Sequence, residues 1–241
     1  MHKKIVLIVF LILSLVTCKP ENAYADDRIV LKSIPSDLWY ENIYLIADKL
    51  SWIEYRNFTV QIGDKPASHI YNFPNWYSGK YDIKLLKEDI NDDSEEDIII
   101  VLNNDIAEAG KPVDEIHILN KIIDPDLSYE EAAIEPMNLT AERLIKIEQH
   151  GDTVTVLADK KKYNVDISKY NYANPHNPYI DTESIEYSIK NGKLIGTIGA
   201  YVSYDAVTGG VFGKFDIQYQ WDGEMYKARP VVFKNYFPKN N

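Results

Sequence analysis

The chain has 241 residues with 37 acidic against 26 basic side chains, a formal net charge of −11 and a single cysteine. That balance excludes nucleic acid as a partner, because binding phosphates demands basic patches, and one cysteine excludes a disulfide framework. Stability must therefore come from burial, which a chain of this length can supply.

The first element reads as an export signal. Lys3 and Lys4 precede an apolar run from Ile5 to Val16 whose only polar residue is Ser14, the charged and apolar regions of a secretory leader. The run is shorter than the roughly 20 apolar residues a membrane-spanning helix needs, and Lys19, Pro20, Glu21 and Asn22 end it. No later segment approaches that length, so no transmembrane segment is expected in the mature chain. Ala23-Tyr24-Ala25 has the A-x-A form of a peptidase site. Cleavage after Ala25 predicts a signal peptide over 1–25 and an extracellular, secreted chain whose net charge moves to −13 as three lysines and one glutamate leave. The alternative is Leu15-Val16-Thr17-Cys18, similar to a bacterial lipobox with Thr where Gly, Ala or Ser is usual, which would leave the protein lipid-anchored through Cys18.

From residue 26 onward apolar residues alternate more often than they recur at helical spacing, which predicts a mainly β protein of antiparallel hairpins and meanders with little helix. Asp37 to Leu50 reads as either helical or a strand pair. Strands are expected over Arg56 to Ile62, Ser68 to Phe73, Tyr81 to Leu86, Asp97 to Leu102 and Glu115 to Leu119, with Gly63-Asp64 and Gly79-Lys80 as turns. Ile98 to Leu102 is apolar throughout, the pattern of a central strand covered on both faces. Tyr129 to Ala133 is expected to form at most a single helical turn.

Between two of these strands lies Asp89-Ile90-Asn91-Asp92-Asp93-Ser94-Glu95-Glu96-Asp97. Oxygen-bearing side chains fall at positions one, three, five and nine, Asp89, Asn91, Asp93 and Asp97. That spacing suits Ca²⁺, a hard ion taking six to eight oxygens, because alternate residues of a curling loop point inward. Glu95, at position seven, would give its backbone carbonyl. Ser94 stands where the sharp turn favours glycine, and Ile100 where an EF-hand carries a bidentate Glu, so the loop is not an EF-hand. The plain alternative is a solvated acidic turn.

Tyr81-Asp82-Ile83, the loop from Asp89 to Asp97, the run Ile98 to Leu102 and Glu115-Ile116-His117-Ile118-Leu119 together resemble the D-x-N-x-D-G-x-x-D loop and apolar strand of FG-GAP or VCBS-type repeats. The arrangement is similar to that of secreted or lipid-anchored bacillus-type proteins of unknown function that carry one such element. The resemblance covers roughly residues 80 to 120 and implies a Ca²⁺ loop at the edge of a propeller-blade-like group of strands. One copy cannot make a full propeller, which needs at least about four blades.

The character of the sequence shifts near residue 135, giving two readings: β subdomains over 26–135 and 136–241, or one compact domain over 26–241. Residues 143 to 167 read as three strands broken at Gly151-Asp152 and Asp159-Lys160. Ser168 to Thr182 is the longest irregular stretch, and its Tyr170, Tyr172, His176 and Tyr179 are candidates for contact with a partner, since loops of such length are often functional. Residues 183 to 233 read as an antiparallel meander, with Asn191-Gly192 and Asp222-Gly223 supplying the hairpin turns.

No catalytic constellation emerges. His69, His117, His150 and His176 lie far apart and match no zinc spacing, and there is no G-x-S-x-G elbow or phosphate-binding glycine loop. Glu130-Glu131 and Glu95-Glu96 read as solvated faces. The expectation is a secreted, non-enzymatic β domain that binds an extracellular protein, glycan or cell-envelope component, with one structural Ca²⁺. The alternative is a secreted hydrolase of glycans or peptides working through carboxylates that the sequence does not single out.

Overall fold

The computed structural model describes residues 27–66, 68–79, 82–104, 113–122, 128–169, 176–203 and 210–236. It is mainly β, as the alternation of apolar residues predicts. Three sheets account for almost all of it. The first is a four-stranded antiparallel sheet of β1 (Asp27–Ile34), β2 (Ile43–Lys49), β3 (Tyr55–Ile62) and β4 (His69–Ser78), in chain order. The second has eight strands. In chain order these are β5 (Lys84–Glu88), β6 (Asp97–Asn103), β7 (Asp114–Lys121), β8 (Tyr129–Ile134), β12 (His176–Lys190), β13 (Lys193–Ser203), β14 (Val211–Trp221) and β15 (Met225–Asn235). They lie side by side as β12-β13-β14-β15-β8-β7-β6-β5. The third is a small sheet of β9 (Ile145–His150), β10 (Thr153–Ala158) and β11 (Lys161–Asp166), entered through the short helix α1 (Met137–Leu144).

The long sheet draws on both sides of residue 135, so the two halves of the sequence share one layer of backbone hydrogen bonds. β5 to β8 run as a four-stranded antiparallel meander, the construction of a propeller blade, but the layer continues across β8 into β15. The sheet also curls. The Tyr187 N–H, on β12, donates to Asp114 Oδ2 on β7 at 2.9 Å, bringing the far edge of the sheet back towards its near edge.

β6 shows how the sequence sets this architecture. Every residue of Asp97–Asn103 is buried. Ile98, Ile100 and Leu102 join Leu45, Phe58 and Val60 of the first sheet in one apolar cluster. Ile99 and Val101, pointing the opposite way as successive strand residues must, belong to the other cluster, with Val154 and Val156 of β10 and Phe215, Ile217 and Tyr219 of β14. A strand wedged between two cores needs an unbroken apolar run, and Ile98 to Leu102 provides one.

Several boundaries depart from expectation. Asp37 to Leu50 becomes a 3-10 turn at Trp39–Glu41 followed by β2. Tyr129 to Ala133 is not a helical turn but strand β8, paired with β7 from Lys121↔Tyr129 to Ile118↔Ala132. Neighbours decide here: Tyr129 is buried against the first sheet's cluster, a contact that outweighs the weak local helix preference of Glu-Glu-Ala-Ala. Ser168 to Thr182 is not irregular throughout, since β12 begins at His176. The meander forms as expected, with Asn191 and Gly192 both at positive φ, 54° and 67°, as a two-residue turn between twisted strands requires.

Candidate functional site

The Asp89 to Asp97 loop joins β5 to β6, and its carboxyl and amide side chains divide into two sets. Asp92, Glu95 and Glu96 turn outward, each to a lysine from a different strand. Asp92 pairs with Lys193 of β13, Glu95 with Lys121 of β7, and Glu96 with Lys87 of β5 at 3.0 Å. The other four turn back into the loop. Asp89 accepts the Asp92 and Ser94 N–H groups at 2.8 and 2.9 Å, Asn91 Oδ1 accepts the Asp93 N–H at 3.0 Å, and Asp93 Oδ1 accepts the Glu95 N–H at 2.8 Å. Asp97, fully buried, accepts the Ile90 and Lys121 N–H groups, each at 3.2 Å. Asp92 and Ser94 take positive φ, 65° and 74°, so the chain makes the sharp turn at Ser94 without a glycine.

Burial pushes the Asp97 carboxyl up to about 6, opposed by its two backbone N–H donors and reinforced by the charges of Asp93 and Asp89. The side chains of the inward set present oxygen atoms, the chemistry of a hard cation. Among the described residues, however, no three His, Cys, Asp or Glu side chains converge in a metal-holding arrangement. The carboxylates of Asp89 and Asp93 are engaged with the loop's own N–H groups, and Glu95 points its side chain at Lys121.

Beside the loop lies a cleft of about 330 Å³. It exists because β8 and β15 pair only briefly, in parallel, at Met225↔Ala133 and Tyr226↔Ile134. Upstream of those pairs β8 faces the end of β14 and the β14–β15 turn. Glu130, Glu131 and Ala132 line one wall, Trp221, Gly223 and Glu224 the other, and Asn91, Asp93, Asn120, Lys121 and Ile122 close the end nearest the loop. Gly223 permits the turn at φ 102°. Tyr226 braces the floor by donating its hydroxyl to Asn120 Oδ1 at 2.8 Å. Burial first, and then the charge of Asp97, push that hydroxyl's pKa up, so it stays a donor.

Glu131 is held from behind. Its Oε1 lies 3.1 Å from His117 Nδ1, while His117 Nε2 is 3.3 Å from Glu115 Oε1 in an orientation that falls short of a hydrogen bond. The imidazole stacks on Trp76 of the first sheet, centroids 3.7 Å apart. His117 therefore joins two sheets and fixes a cleft carboxylate.

Of the residues expected to meet a partner, Tyr170 and Tyr172 lie outside the described residues. His176 and Tyr179 sit on β12, not on a loop. Tyr179 is the cross-strand partner of Tyr201, its ring stacked on that ring at 5.5 Å. It also lines a groove of about 340 Å³ between β12 and α1, with Asn138, Glu142 and Ile147. The structure does not bring this groove and the acidic loop into one site. The cleft residues Asn120, Lys121, Trp221 and Glu224 had no signal in the sequence beyond the Asp222-Gly223 turn, and Glu130-Glu131 read as solvated surface, because only the brief pairing of β8 with β15 makes them neighbours.

No family model, no curated protein and no solved structure matches this chain.

Proposed function

We propose that the mature chain is an exported, non-enzymatic β domain that binds an extracellular partner or cell-envelope component in the cleft between β8 and the β14–β15 turn, with one Ca²⁺ held by the adjoining Asp89 to Asp97 loop. The observation that carries this reading is the cleft itself: an aromatic side chain, two amides and several carboxylates brought together on strand ends anchored in both cores. Binding sites of this kind combine an apolar surface with a few placed polar groups. The inward turn of Asp89, Asn91, Asp93 and Asp97 supports the calcium part, since among the described residues none of the four pairs with a lysine.

The loop and the cleft share Asn91 and Asp93, so an ion drawing those side chains inward would also set one end of the cleft. The test is sedimentation of the exported chain with purified cell-wall sacculi, in calcium and in chelator, with Trp221→Ala and Glu130→Gln as variants. Retention that falls at least about fivefold in Trp221→Ala is the expected outcome. Failure of the unaltered chain to sediment with sacculi would sink the reading. Release of soluble fragments from the sacculi, lost in Glu131→Gln, would favour the hydrolase alternative.

A further inference from the structure

Charge at the cleft is unbalanced in a way that selects among ligands. Four acidic residues line it, Asp93, Glu130, Glu131 and Glu224, against one basic residue, Lys121; the Lys121 ammonium is committed to Glu95, and the Asp93 carboxylate to the Glu95 N–H and the Asn91 amide. Glu131 has His117 behind it. Among the described residues neither Glu130 nor Glu224 has a cationic partner. A neutral or anionic ligand would lie against this charge without using it, whereas a ligand carrying an ammonium gains charge-assisted hydrogen bonds.

The rest of the lining narrows the carrier of that ammonium. Trp221 offers an indole, whose apolar face suits the C–H face of a sugar ring and the electrostatic attraction of a nearby cation. Asn120, whose Oδ1 takes the Tyr226 hydroxyl, keeps its amide N–H groups to donate to a ligand hydroxyl, whereas the Asn91 amide is turned into the acidic loop. The volume, about 330 Å³, lies at the lower end of the roughly 300–1,000 Å³ typical of ligand sites, a size for a short saccharide rather than a folded surface. Resting on the proposed binding function, we infer that the ligand is a saccharide bearing a free amine, its ring against Trp221 and its ammonium towards Glu130 and Glu224.

The test compares two probes of equal length by calorimetry on the exported chain: a β-1,4-linked glucosamine tetramer and its fully N-acetylated counterpart, with tetralysine as a third arm. N-acetylation removes the charge and keeps the ring. Two partly exposed ion pairs correspond to a preference of about fivefold to tenfold for the amine form, declining as salt screens the charges. Glu130→Gln and Glu224→Gln together should erase that preference, and Trp221→Ala should weaken both sugars alike. Both glutamates are exposed, so the double variant keeps the fold, and its unchanged melting temperature checks this. Equal affinity for the two sugars, or binding of neither, overturns the amine inference, while sacculus binding would leave the broader reading standing. Tetralysine binding as tightly as the amino sugar, with no loss in Trp221→Ala, overturns the saccharide part.

Discussion

At the scale of single residues, the acidic loop separates two kinds of stored cost. Asp97 is buried with its carboxyl pushed up to about 6 from an ordinary 3.8. Between those values the folded chain keeps a proton that the unfolded chain has lost, so the group favours folding most below about pH 4, and that contribution is lost as pH rises through 6. A shift of this size is on the order of 3 kcal/mol. In calcium-free denaturant titrations, Asp97→Asn, which loses one of two N–H acceptors, should be less stable than the unaltered chain at pH 4. The gap should shrink by pH 7, and a constant gap across that range would contradict the assignment. Ser94 stores conformational cost instead. At φ 74° a Cβ is disfavoured by about 1 kcal/mol, so Ser94→Gly should raise the melting temperature by about 2 to 4 °C. The Ser94 N–H bond to Asp89 is a backbone bond that glycine keeps, so no change in a thermal melt would contradict the strain assigned to Ser94.

At the scale of elements, the strands of the meander pack closely against one another. A Cβ built on Gly213 of β14 would lie 2.4 Å from the Phe233 ring and 2.8 Å from the Lys234 carbonyl oxygen on β15. Backbone cannot yield as a side chain can, so Gly213→Ala should destabilise by about 1–3 kcal/mol, read as a lower urea midpoint, and a midpoint within error of the parent's would contradict that geometry. Much of this meander was legible in the sequence because its information is local: alternation gives the strands, and Asn191-Gly192 and Asp222-Gly223 give the turns. β6 was legible for the same reason, its unbroken apolar run leaving no face for water. β8 and the start of β12 were not. Tyr129 to Ala133 carries no alternation strong enough to declare a strand, and its state is set by pairing with β7. His176 to Thr182, with Asn177 and Pro178 near its start, looks like a loop until Tyr179 finds Tyr201 across the strand pair. α1 was missed because it is only eight residues long, with no side-chain cap, and is held instead by Met137 and Ala141 in the core and by Arg143 on Glu135.

At the scale of the molecule, the acidic loop was visible as a motif but the cleft was not, since its walls come from segments about 90 residues apart that meet through two residue pairs of parallel strand. Linkage connects the two features. If the loop binds Ca²⁺ with a Kd of about 0.1 mM, a millimolar concentration adds roughly 1.4 kcal/mol to folding, or about 3 to 5 °C in melting temperature. Asp93→Ala should remove that rise, and an equal rise in the variant would leave the loop an ordinary turn. The claim that binding takes place between β8 and the β14–β15 turn is tested most directly by amide and indole chemical-shift mapping of the chain from residue 26 to 241 on addition of the glucosamine tetramer. Shifts concentrated at Asn91, Asn120, Lys121, Glu224 and the Trp221 indole N–H are the predicted result. Shifts centred on Tyr179 and α1, or none at all, would contradict it.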